Sequence, residues 1–118
     1  MRNKDLINSN ESEMVPFLSA EEAWFWDCLC TQMGPNHSTN RKHKIVRPCE
    51  LSDIIIAVKK LVKIGQLRPA HIKVLAKYGF EQVPPHPHFG DSSKVCMLWQ
   101  EALGFLTTIL KQKGIVGT

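Results

Sequence analysis

Between residues 51 and 62 the apolar positions Leu51, Ile54, Ile55, Val58, Leu61 and Val62 recur at intervals of three and four. That is the spacing of one buried helical face, with Lys59, Lys60 and Lys63 largely outside it. The pattern predicts a helix over 51–64, closed by Gly65, a residue free to take the left-handed conformation that ends helices. A second helix is expected over 68–79, with Pro69 in the favoured first position. Leu67, Ile72, Leu75, Ala76 and Tyr78 supply its inner side, and Arg68, Lys73 and Lys77 its outer side. Joined by a short glycine-bearing turn, the two form a helix-turn-helix-like pair.

The same periodicity runs from Val95 through Leu98, Trp99, Ala102 and Leu106 to Leu110, predicting a long C-terminal helix over 92–113 that starts at Asp91 or Ser92 and stops at Gly114. Upstream, Ser19 and Glu22 have the spacing of a capping box and open a helix over 20–33, which Gly34-Pro35 closes. Trp24, Phe25 and Trp26 project over most of its circumference. Either this helix is nearly surrounded, or it offers aromatics to a protein partner or a second copy. Residues 1–16 lack periodicity and read as a flexible polar tail, unless a neighbouring element ties it down. Residues 34–48 form a polar, increasingly basic connector, and Pro84, Pro85 and Pro87 make 80–91 an extended loop. Ile115 and Val116 are placed to dock the C-terminus. The expected architecture is all-α, four principal helices in a single helical domain over 17–118, a size that can bury a core.

Charge changes the picture. The net charge is +4, but residues 41–78 hold ten lysines and arginines against Glu50 and Asp53, a local excess of eight. Such a concentration suits a polyanion, because cations that displace condensed counterions supply much of the affinity for phosphate backbones. The reading that follows is duplex DNA binding through the second helix of the pair, in a regulatory, transcription-linked role. Arg41, Lys42, Lys44, Lys59, Lys60 and Lys63 would contact phosphates, and Arg68, His71, Lys73 and Lys77 would face the groove. His71 has a second reading, as a partly buried histidine between the paired helices. A protein-interaction module without nucleic acid is the competing class, using the aromatics of the first helix or the PPHP loop.

Other classes find little footing. The longest apolar run, Ile54 to Val58, is far below the roughly 20 residues of a membrane span. The N-terminus is polar where a signal peptide is apolar, so a cytoplasmic location with reduced cysteines is expected. Cys28, Cys30, His37, His43, Cys49, His86 and His88 could in principle bind metal, but Cys28 and Cys30 point about 200° apart on a helix and the His86-x-His88 pair is incomplete. No cysteine is arranged with a histidine base, Cys96 falls near the core stripe, and six of the eleven acids sit in the first 27 residues, where tail and capping roles account for them. No catalytic residue, cofactor or metal is expected, and the protein is not read as an enzyme.

Two resemblances bear on this. AEEAWFW (20–26), RPCE (47–50) and KGIV (113–116) look like a family of small uncharacterised alphaproteobacterial helical proteins, which implies a bacterial cytoplasmic protein and brings no activity with it. HIKVLAKYG (71–79), followed by a loop and the long helix, resembles region 4 of bacterial sigma factors, where a related helix precedes a helix-turn-helix that reads promoter DNA. Here a proline loop replaces the intervening short helix, and the start of the last helix offers only Lys94 as a cation. These departures from the resemblance make 68–79, and not the last helix, the DNA-facing element if DNA is bound.

Overall fold

The computed structural model describes residues 14–33, 47 and 49–117. Among them the chain is all-α, with four helices: α1 (Ala20–Met33), α2 (Leu51–Lys63), α3 (Pro69–Glu81) and α4 (Ser93–Gln112). A single 3-10 turn, Pro87–Phe89, interrupts the proline loop. α1 and α4 form the centre, and each packs against α2, α3 and the other. α2 and α3 lie on this pair and not along one another.

The helix ends follow local chemistry. Ser19 Oγ accepts from the Glu22 backbone N–H at 3.1 Å while Glu22 takes the Leu18 N–H at 2.7 Å, so the reciprocal cap forms. Asp53 accepts the Glu50 N–H ahead of α2, and Ser92 Oγ accepts the Val95 N–H ahead of α4. Gly65 has φ +85°, which an L side chain rarely adopts, and the chain then turns back as the Gln66 N–H reaches the Leu61 carbonyl. This turn buries Leu67 beneath the α2–α3 corner.

α3 runs two residues past its expected end, because Gly79 is a packing residue and not a terminator. A Cβ there would collide with the Trp24 indole nitrogen and the Cys28 sulfur, so α1 approaches this closely only over glycine. The helix stops instead at Gln82, in the left-handed region at φ 62°, with its amide donating to the carbonyls of Phe25 and Gly79.

The core is built from Trp24, Ile54, Leu61, Leu75, Trp99, Leu106 and Leu110 with smaller neighbours. Of the three consecutive aromatics, Trp24 is buried, Phe25 stacks on Trp99 at 5.7 Å and Trp26 lies 5.2 Å from Phe17. α1 is thus nearly surrounded. Phe17 and Val116 pair in a parallel bridge that docks the C-terminal segment, with Ile115 and Val116 both buried. Residues 1–13 of the expected tail lie outside the described residues, and its last part, 14–16, is tied down. Arg47 donates to the Val15 and Pro16 carbonyls, lies 3.6 Å from Glu22 and stacks over the Phe17 ring. That cation is therefore engaged internally.

Candidate functional site

Where α2 and α3 diverge over α1 they leave an open groove of about 440 Å³. α2 contributes Ile55, Val58, Lys59 and Val62 to its wall, and α3 contributes Ile72, Leu75, Ala76 and Phe80. The periodicity assigned Val62, Ile72 and Ala76 to inner faces. Because the two helices splay, these residues line the groove instead, and Ala57, His71, Val74 and Gly79 take the core positions. Val62 and Phe80 are each 45% exposed, a large apolar surface to leave to water.

The floor comes from α1: Trp24, Asp27, Cys28 and Thr31. Its N–H and hydroxyl donors are already engaged. The Trp24 indole N–H donates to the Leu75 carbonyl at 2.9 Å, and the Thr31 hydroxyl donates to the Asp27 backbone carbonyl at 2.8 Å. Asp27 itself is 1% exposed, and its Oδ1 has no hydrogen-bond partner. Burial pushes its carboxyl up from the ordinary 3.8 to about 6. Burial, then the Asp27 charge, pushes the Cys28 thiol up to about 12. Burial, with Asp53 and Asp27 behind it, takes Cys49 to about 11. Both thiols are protonated at neutral pH and are poor nucleophiles.

Of the ten residues expected to meet nucleic acid, Arg41, Lys42 and Lys44 lie outside the described residues. Lys59 borders the groove, and Lys63, one helical turn on, stands on the same side of α2. Lys73 and Lys77 follow the groove-lining Ile72 and Ala76 on α3 and share an exposed face. Lys59 and Lys63 thus edge the groove along α2, whereas Lys73 and Lys77 stand about 100° round α3 from the groove-lining residues, with Lys77 turned toward the Tyr78 ring at 5.2 Å. Lys77 pairs with Glu81 at 3.1 Å, and Lys59, Lys63 and Lys73 are exposed with no ion pair among the described residues. Lys60 is also exposed but sits about 100° round α2 from Lys59.

Arg68 and His71 do not join this set. Arg68 lines a separate depression with Glu101, Gly104 and Phe105 on α4. His71 cannot face a nucleic-acid groove, because it is 1% exposed. Its position at the core-facing turn of α3 carries it onto α4 and not between the paired helices. There Nδ1 accepts the Arg68 backbone N–H at 3.0 Å, leaving the ring proton on Nε2 for Glu101 at 2.9 Å, and Phe105 packs edge-on. His71 is the internal cap of α3.

The proline loop is fixed to the body by Asp91, which accepts from the Tyr78 hydroxyl at 2.5 Å and from the His86 N–H at 2.9 Å. That hydrogen bond, ahead of desolvation and nearby charges, pushes the Tyr78 phenol up to about 12 and lowers Asp91. Among the described residues no three His, Cys, Asp or Glu side chains converge as a metal site, and no helix is long and apolar enough to cross a membrane.

No family model matches the chain, and neither a curated protein nor a solved structure was found to be similar to it. Asp27 was assigned above to tail and capping roles. A signal for its burial was present in the sequence: it stands three residues after Trp24 and four after Ala23, on a face of α1 it shares with Ala20 and Cys28.

Proposed function

We propose that this protein is a non-enzymatic cytoplasmic binding module that docks an acidic amphipathic helical segment of a partner protein in the groove between α1, α2 and α3. The observation carrying this reading is an apolar groove of about 440 Å³ edged along α2 by Lys59, with Lys63 one turn beyond it. An apolar groove with a cationic rim on its α2 side fits a helix that has an apolar stripe and an acidic flank, the helix-in-groove mode of recognition. Burial of the stripe would supply affinity, and the α2 lysine rim would supply orientation and speed of encounter.

Titrating a synthetic acidic amphipathic helical peptide into the isotopically labelled protein tests this. Shifts confined to Val62, Ala76, Phe80 and their neighbours are expected. Lys59→Glu with Lys63→Glu should weaken binding by about tenfold or more, because like charges then face each other across the rim. A peptide at millimolar concentration that moves none of these signals would sink the proposal.

Duplex nucleic acid is the second reading, favoured by the exposed Lys59, Lys63, Lys73 and Lys77 on two neighbouring helices. With His71 buried, α3 offers fewer side chains to base edges, so contact would fall mainly on phosphates and carry a regulatory role only through another specificity element. Binding of a random duplex that drops steeply between low and physiological salt supports this reading, and no binding at low salt removes it.

A further inference from the structure

Asp27 Oδ1 is the one buried side-chain oxygen among the described residues that has no hydrogen-bond partner. An orphaned, fully buried acceptor is rare in folded proteins, because water no longer solvates it and nothing replaces the lost hydrogen bond. The fold does not supply the partner: the Trp24 N–H and the Thr31 hydroxyl are both committed to backbone carbonyls. The remaining wall is apolar except for Lys59 at its edge. The missing donor would therefore arrive with whatever fills the groove.

We infer that Asp27 is the polar anchor of the groove, its free Oδ1 accepting a hydrogen bond from a neutral donor on an aromatic side chain, a tyrosine hydroxyl or tryptophan indole, inserted by the docked segment. This rests on the docking reading above and deepens it. The apolar wall receives the ring, and the Asp27 carboxyl, sealed from solvent in the free protein, would turn toward a donor at the ring's far edge while the rest stays among carbon atoms. A cationic donor is disfavoured on two counts: it would lose its hydration to an apolar wall, and it would enter past Lys59. A purely apolar side chain would fill the space and leave the carboxylate orphaned. Asp27 is thus the residue that distinguishes tyrosine or tryptophan from phenylalanine, much as a buried polar group rejects any ligand that leaves it unpaired.

The test uses the full chain and two synthetic acidic amphipathic helical peptides that are identical except for Tyr or Phe at the central groove-facing position. The Tyr peptide is expected to bind about tenfold tighter, the scale of a hydrogen bond to a charged acceptor. That preference should shrink below about twofold in Asp27→Leu and persist in part in Asp27→Asn, which keeps an acceptor oxygen. It should also grow as pH rises through about 6, as the carboxyl ionises. Cys28 on α1, Cys49 ahead of α2 and Lys59 on α2 are the titratable groups around it, while the α3 wall has none. Both thiols titrate far higher, and repeating the profile in Lys59→Met separates the lysine from the acid. Should Asp27→Leu fail to fold, Asp27→Asn and the pH profile carry the comparison. Equal wild-type affinity for the two peptides, or a preference unchanged in the Asp27 variants, overturns the anchor and leaves docking standing. Failure of both peptides to bind overturns the docking reading itself.

Discussion

Two depressions border the α2–α3 pair, and each has a buried polar side chain beneath it. Against α4, His71 has both ring nitrogens bonded, one to the Arg68 backbone and one to Glu101. Over α1, Asp27 is equally buried but keeps one oxygen without a partner. The first is polar chemistry that the fold completes for itself. The second is polar chemistry left incomplete beneath an apolar groove, where an unpaired buried oxygen lowers stability. Burial alone does not separate structure from function; the state of the hydrogen bonds does.

Opposite signs on substitution would make that contrast visible. His71→Ala should have the largest effect, a loss of about 3 kcal/mol in urea unfolding, because it opens a cavity and strands the Arg68 N–H. Gly79→Ala should cost about 2 kcal/mol in the same measurement, since the added methyl group meets Trp24 and Cys28, on which the groove floor rests. Asp27→Asn should stabilise the protein at pH 7.5 by about 1–2 kcal/mol, read as a rise in Tm. The sign follows from a folded-state carboxyl that titrates near 6, above the ordinary 3.8. The folded protein then holds its proton more tightly than the unfolded chain, so wild-type stability falls as pH rises from about 4 to about 6. The advantage of Asp27→Asn should accordingly vanish near pH 4, and a stability gap that is flat with pH would break the comparison. Glu101→Gln should have the smallest effect, within about 1 kcal/mol, because an amide oxygen can still accept from His71 Nε2.

Much of the framework was legible along the chain, because capping chemistry and helical spacing act over a few residues. Ser19 with Glu22, Gly65, Pro69 and Ser92 all do what their positions imply. The faces of α2 and α3 were harder to assign, since Val62, Ile72 and Ala76 look like core residues until the angle between two helices is known, and that angle is set by long-range packing on α1 and α4. His71 and Asp27 show the same limit. Whether a polar side chain within an apolar stripe finds a partner depends on a residue thirty positions away, in one case Glu101, or on nothing in the described chain, in the other. The expected end of α3 fell at Gly79; the close approach of Trp24 that makes this glycine a packing residue leaves no local trace.

The bridge between Phe17 and Val116 has a mechanical side. The two segments run parallel, tied by the Phe17 N–H to the Ile115 carbonyl and the Gly117 N–H to the Phe17 carbonyl, each at 2.9 Å. Tension applied backward from Pro16 and forward from Gly117 pulls these segments past one another instead of peeling them apart. Both bonds then bear load at once and must rupture together. Force reaching this domain along the chain meets a shear clasp before it reaches α1, so the groove can keep its shape while the polypeptide on either side is under strain.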